Sequence, residues 1–284
     1  MTDVAPGDTK PFGDLAQKQS VKKRKLYSEP LLLFENIFGT AAPTTIDTDV
    51  YKRVYDVALS GLITPRTLYT QFGDTNNVNT YGYGVLQDVG MKFDREVGVS
   101  VTGQGFAQAK ATGGTFTASP TQLPLAPILP THLNYYLDTT GAGIGTTQVP
   151  EEFLTVSWDY KGANNPYWAT NRSQTSFDTH VNVQPTTEVK IDIAETPLSR
   201  TLDAAMSTGT VYFLRVNAQG AQIAGSSPTA YNLLNVDMAI KLTKKDKWQD
   251  HQGVYMRTWT FEIVEDATWG HALMITSQSS IATI

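Results

Sequence analysis

The sequence has no cysteine. Disulfides, thiolate metal sites and cysteine nucleophiles are therefore excluded. Charge is also scarce. Asp, Glu, Lys and Arg make up 17% of the 284 residues, below the roughly 25% of an average soluble domain. Excess positive charge is missing, with a formal net charge of −5 and a pI near 5.4. A high-affinity nucleic-acid binder needs surplus Lys and Arg to displace counterions from phosphates, so that class is set aside. Long apolar runs are absent. No stretch approaches the ~18 apolar residues of a membrane-spanning helix. Residues 1–20 lack the apolar segment of a secretory signal. These absences predict a chain that is soluble at synthesis, touches no membrane and folds in a reducing cytoplasm.

Catalytic patterns are equally thin. The histidines are His132, His180, His251 and His271, and no two stand four apart or in a His-Glu-x-x-His pattern. Gly103-Gln-Gly-Phe-Ala-Gln108 half-matches a dinucleotide loop. Its third glycine is missing, and a Gly/Thr-rich tract follows where a phosphate cradle needs a helix N-terminus. No local pattern singles out a carboxylate pair among Asp47, Asp49, Asp159, Asp178, Asp192 and Glu195. The expectation is a non-catalytic protein with no cofactor and no metal.

What the chain does contain is small, hydroxylated and β-branched residues, including 22 Gly. That balance suits sheets and turns better than surface helices. The length fits one large β domain or two smaller ones. The clearest alternation begins at Val85. Val89, Met91 and Phe93 lie on alternate positions, and after Asp94-Arg95-Glu96 so do Val97, Val99 and Val101. This predicts a hairpin. Further strands are expected over Tyr51–Leu59, His132–Asp138, Phe153–Tyr160, Glu188–Ile193, Val211–Val216, Leu233–Leu242 and Val254–Val264. Gln71–Gly84 reads as a polar loop, and Thr102–Ser119 as a Gly/Ala/Thr/Ser/Gln tract. One helix is expected, Pro197–Met206. Thr196 serves as its N-cap, Leu198, Leu202, Ala205 and Met206 share a face, and Gly209 ends it. The fold class is mainly β, a sandwich flanked by one short helix.

Residues 1–30 read as a flexible N-terminal arm, and residues 31–284 as the folded domain. The arm carries six basic and four acidic side chains, which leaves 16 basic and 23 acidic for the remainder. Leu31–Phe38 (LLLFENIF) is too apolar to rest in water. It packs on its own domain or docks on a neighbouring subunit. Trp158, Tyr160, Tyr167 and Trp168 form an aromatic cluster. It is a core edge, a subunit contact or a sugar-stacking platform, and the last keeps a carbohydrate-binding adhesin open as an alternative function. Lys244–Asp250 reads as a solvated, mixed-charge hairpin tip.

Val89-Gly-Met-Lys-Phe-Asp-Arg-Glu-Val97 resembles the main hairpin of tail tube proteins from long-tailed bacteriophages. So does Leu125-Ala-Pro-Ile-Leu-Pro-Thr-His-Leu-Asn-Tyr-Tyr-Leu-Asp138, followed by Ile144-Gly-Thr-Thr-Gln148. The resemblance spans roughly residues 85–275; residues 31–84 match no pattern of the family. It implies a β-sandwich whose long hairpin joins an inner barrel between six subunits, in rings that stack into a hollow tube. Val89, Met91, Phe93, Val97, Val99 and Val101 are then expected on that barrel hairpin. Leu31, Leu33, Phe34 and Phe38 are expected on an arm that docks between rings. The implied partners are further copies of the chain, a tape-measure protein, and tail-tip and terminator proteins, with DNA passing through unbound. The implied location is the virion tail, assembled in the host cytoplasm. Another tail or head–tail connector ring is the alternative within the same class, separated by copy number per virion.

Overall fold

The computed structural model describes Tyr27 and residues 29–57, 65–71, 78–112, 126–149, 152–169, 176–226, 229–251 and 253–282. The protein is mainly β. In chain order the strands among these residues are β1 (Thr44–Asp47), β2 (Val50–Val57), β3 (Arg66–Gln71), β4 (Val78–Asp94), β5 (Gly98–Phe106), β6 (Lys110–Thr112), β7 (Leu133–Asp138), β8 (Phe153–Lys161), β9 (Asn164–Tyr167), β10 (Thr179–Asn182), β11 (Thr186–Ala194), β12 (Val211–Gln222), β13 (Tyr231–Lys245), β14 (Gln249–His251), β15 (Val254–Ile263) and β16 (Leu273–Ser279). Two α-helices join them, α1 (Glu29–Phe38) and α2 (Pro197–Met206). No helix among the described residues is long and apolar enough to cross a membrane.

One strand organises the rest. Along one edge, β13 pairs with β12 from Val211↔Lys241 to Gln222↔Tyr231. Along the other it changes partner. Leu233–Met238 pair with β16, and Ile240–Lys245 with β15. The switch falls at Ala239. Its N–H donates to the Ala272 carbonyl, and its carbonyl accepts from the Val264 N–H, both at 3.0 Å. A strand shared by two sheets makes the corner of a sandwich. One sheet runs β7–β12–β13–β16–β2–β1, and the other β13–β15–β11–β8–β4–β5.

Alternation explains the inner faces. Along β11, Val189, Ile191 and Ile193 are buried, while Lys190 and Asp192 lie between them. Val156, Trp158, Trp259 and Phe261 of the second sheet share one core with Leu214, Val236, Met238 and Ile275 of the first. Each large side chain so buried contributes roughly 1.5–3 kcal/mol.

The helices close the gap between the sheets. On α1, Phe34 packs edge-on to Tyr55 of β2 (5.6 Å) and Phe38 to Tyr160 of β8 (5.1 Å). This helix is absent from the sequence expectation, which leaves the segment either packed on its own domain or docked on a neighbour and assigns it no element; it packs on its own domain. Its signals are Pro30 near the start, core residues at 31, 34 and 38, and Gly39 at φ 91° at its exit. Helix α2 forms as expected. The Thr196 hydroxyl accepts the Ser199 N–H (3.1 Å), and the Ser199 hydroxyl accepts the Thr196 N–H (3.0 Å). Asp203 ties α2 to β13 and β15 through Lys245 and, at 2.9 Å, Arg257.

Three other expectations change. Val78–Gly84, expected in a loop, belongs to β4, and the Gly/Thr tract contributes the end of β5 and all of β6. Val78 is the one buried apolar side chain of the first stretch, and the second is mostly small or polar, so neither shows a sustained two-residue hydrophobic period. Tyr27 and Pro30, expected in the arm, are buried in the body. The Tyr27 N–H donates to the Ala126 carbonyl at 3.0 Å, and its hydroxyl lies 3.2 Å from His132 Nδ1.

Candidate assembly surface

β4 is the longest strand and serves two regions. Its second half, Val89–Asp94, lies between β5 and β8, with Met91 opposite both Val101 and Trp158. The turn to β5 is Arg95-Glu96-Val97. The Asp94 carboxylate accepts the N–H groups of Glu96 (2.9 Å) and Val97 (3.2 Å), and Gly98 at φ 92° returns the chain.

The first half of β4 runs beyond the sandwich. Tyr81 is paired with Leu68 of β3 on one side and Lys110 of β6 on the other, which makes a three-stranded extension. An elbow at Tyr83 joins the two regions. Tyr83 has φ 53°, and the β3–β4 register shifts there, between Arg66 and Leu68. A tyrosine in the left-handed region costs about 1–3 kcal/mol and persists only where its surroundings hold it. Here they do. Its hydroxyl bonds Thr179 Oγ1 (2.7 Å) and His180 Nδ1 (3.0 Å), and its ring meets Phe177 edge-on at 5.7 Å. Gln108 donates its N–H to the Gly82 carbonyl at 2.8 Å. A bulge of this kind re-aims a strand. Tyr83→Ala keeps the strained backbone and removes what holds it. Amide exchange at 78–84 and 110–112 should accelerate at least tenfold, while exchange in β11 and β13 stays at wild-type rates.

The hairpin expected from the alternation is present, but its apolar face is already used. Val89, Met91, Phe93 and Val99 are buried in the chain's own core, and Val101 packs against it. Val97 is in the turn, 54% exposed and outside the alternation. The side chains of Val89, Met91, Phe93, Val99 and Val101 are therefore turned into the subunit's own core and not toward a neighbour. What the hairpin leaves open is the opposite row, with Ser100, Thr102 and Gln104 exposed. Its outer edge is open as well, since among the described residues β5 pairs only with β4. Gly105 fits this packing because a Cβ there would collide with the Val85 carbonyl. That accounts for the second glycine of the half-matched dinucleotide motif, whereas a Cβ at Gly103 would meet only ordinary contacts.

The expected inter-ring arm is likewise part of the body. Leu31 and Phe34 are fully buried, and Leu33 and Phe38 pack on the same core. The gap between the sheets satisfies the apolar stripe, so it needs no neighbouring subunit. Only Leu32 turns outward, at 51% exposed.

Between β7 and β8, Asp138 organises the Gly141–Gln148 loop. Its carboxylate accepts N–H bonds from Gly145 (2.8 Å) and Thr147 (3.0 Å), and the Thr146 hydroxyl at 2.9 Å. Beneath the loop, Arg215 makes a bidentate pair with buried Asp237 at 2.6 and 2.8 Å. Burial disfavours the Asp138 anion, but the bonds from Thr147, Thr146 and Gly145 outweigh it and hold its carboxyl below the usual range. At Asp203 burial again opposes ionisation, and Lys245 and Arg257 outweigh it. A carboxyl whose folded pKa is lowered stabilises the fold above its unfolded value, about 3.9. That stability disappears as pH falls through the folded value. The denaturant midpoint should therefore be level from pH 7 to 5 and drop steeply below about pH 4, with a shallower drop in Asp138→Asn.

Residues with chemical potential are dispersed. His132 Nδ1 accepts the Leu129 N–H (3.2 Å), His180 contacts Tyr83, and His271 lies 3.0 Å from Asp56. The His251 side chain lies outside the described residues. Among the described residues no group of three His, Asp or Glu could hold a metal. A cavity of about 220 Å³ lined by Ile46, Gln219, Thr229, Ala230, Tyr231, Leu233 and Gln278 contains no carboxylate, histidine or lysine. Trp158 and Tyr160 are core residues, whereas Tyr167 and Trp168 are exposed, so the four aromatics share no surface. No protein-family model matches the chain, and no curated protein matches it.

Proposed function

We propose that this chain is a structural virion subunit that forms stacked rings, six subunits to a ring, in the tail tube of a long-tailed bacteriophage. The observation that carries the reading is the β3–β4–β6 extension, aimed out of the sandwich by the Tyr83 elbow beside the open edge of β5. An extension whose outer edges pair with no other described strand gains by pairing with the same element of neighbours, and closing a ring of them removes the edges. Backbone pairing along these edges, with the apolar side chains kept inside each subunit, is the form of barrel that fits the packing.

A conduit for DNA should avoid phosphate contacts, since each adds affinity and drag. Residues 102–119 contain a single positive charge, Lys110. On this reading the chain performs no catalysis. Its partners are copies of itself, a tape-measure protein, and tail-tip and terminator proteins, and it acts in the virion tail after assembly in the host cytoplasm. Sedimentation velocity over a range of concentrations tests the reading. The expected boundaries correspond to six times the 31.1 kDa subunit mass and to larger multiples. A single 31.1 kDa boundary at every concentration, unchanged by tail-tip complexes, would overturn it.

A further inference from the structure

Tyr27 fastens the N-terminal residues to the body, and His132 fastens Tyr27. The Tyr27 ring is buried against the backbone of β12, where a Cβ at Gly220 would come within 2.7 Å of it. Its N–H donates to the Ala126 carbonyl at 3.0 Å, and its hydroxyl lies 3.2 Å from His132 Nδ1. The Leu129 N–H donates to the same nitrogen at 3.2 Å. One lone pair thus serves two donors. A backbone N–H can only donate, which assigns the proton of the neutral ring to Nε2. Burial keeps the Tyr27 hydroxyl protonated and pulls His132 below its ordinary value. His132 is only partly covered, so protons reach it from solvent. Few charges surround it. Tyr27 faces it from the N-terminal segment, and Lys22-Lys-Arg-Lys25 precede Tyr27 in the sequence. The end of β4 and its turn carry Asp94, Arg95 and Glu96, and Gly98 of that hairpin lies against Ile128 and Pro130. Residues 126–131 and the paired ends of β7 (Leu133, Asn134) and β12 (Asn217, Ala218) carry none.

We propose that His132 is a proton-operated latch, which holds Tyr27 and the junction with the preceding residues closed at neutral pH and lets that junction open in mild acid. Protonation places a hydrogen on Nδ1, aimed at the Leu129 N–H. The Tyr27 hydroxyl can turn and accept it, but a backbone N–H cannot. Two donors face each other, and a buried donor without an acceptor is costly. The imidazolium therefore leaves the turn at residues 129–132, and the Tyr27 hydroxyl loses its partner. The open form takes the proton more readily, at the ordinary histidine value of about 6.5. The latch is at full strength above that value. It weakens as pH falls below it, down to the lowered value of the closed form. The open form keeps both sheets, so the latch shows in local exchange and not in the denaturant midpoint. It needs no second subunit.

Amide exchange of the full chain at about pH 7.5 and about pH 5, corrected for the intrinsic rate, tests the latch. Protection of the Tyr27 and Leu129 amides should fall at least tenfold in acid, while that of Ile191 in β11 and Val236 in β13 holds. Long-range proton–nitrogen NMR of the imidazole rings should show neutral His132 protonated on Nε2 alone. Its titration midpoint should match that of the lost protection. His132→Asn sets a neutral amide oxygen in the place of Nδ1 and cannot take the proton. It should keep Leu129 protected at both pH values. Tyr27→Phe removes only the hydroxyl. It should speed exchange at residue 27 severalfold already at neutral pH and leave Leu129 pH-sensitive. Equal protection of the wild-type amides at both pH values would overturn the latch. So would a wild-type pH response retained in His132→Asn, or a neutral His132 protonated on Nδ1.

Discussion

Ser100→Glu with Gln104→Lys should abolish assembly while leaving the melting temperature within about 2 °C of wild type. Both side chains are exposed on the outward row of β5. Ser100 lies opposite Lys92, and Gln104 opposite Asp88. Each new charge therefore faces an opposite charge across the strands, a pairing worth a few tenths of a kcal/mol in favour of the fold. Surface changes of this kind stay within about 0.5 kcal/mol. Between subunits the effect reverses, because a charged edge strand resists pairing with another edge. Val99→Asp provides the contrast. Val99 is 4% exposed, in contact with the core. An unpaired carboxylate there costs several kcal/mol and should unfold the subunit. Loss of assembly in Val99→Asp would thus say nothing about the edge, and retained assembly in the double variant would place the subunit contact elsewhere.

Arg215→Ala should destabilise the monomer by about 3–5 kcal/mol, a fall of roughly 10 °C or more in melting temperature. Asp237 is 1% exposed, and its carboxylate is held by both arms of the guanidinium. Removing the cation leaves a buried charge without its partner. Removing both charges is gentler, so Arg215→Met with Asp237→Leu should recover most of the loss. Equal destabilisation in the single and double variants would mean that packing under the Gly141–Gln148 loop, and not charge, sets the cost. Thermal melts of the two variants separate these outcomes.

Much of the sandwich was legible because its strands have one buried and one exposed face. β8, β11 and β15 carry apolar residues at every second position, and their extents were anticipated within two residues. The start of β4 was not legible. Val78–Gly84 leaves the core at the Tyr83 elbow, so nothing imposes a two-residue apolar period on it. β16 was missed because two of its inward positions are Ser277 and Ser279, both buried. α1 was hidden by its own hydrophobicity. A mostly apolar eight-residue segment signals burial, but the partner that buries it is decided by the distance between two sheets formed by residues far away. The same limit applies to the candidate surface. Alternation in Val89–Val101 showed that one face would be covered, and the chain's own core covers it. The exchange of partners at Ala239, which sets the whole sheet order, leaves no local trace.

The central claim is that copies of this chain close into rings and stack. Negative-stain electron microscopy of the purified protein at rising concentration tests it most directly. Hollow tubes or rings of one constant diameter are expected, lost in the Ser100→Glu/Gln104→Lys variant. Fields of isolated particles of single-subunit size at every concentration, with or without tail-tip complexes as seeds, would contradict it.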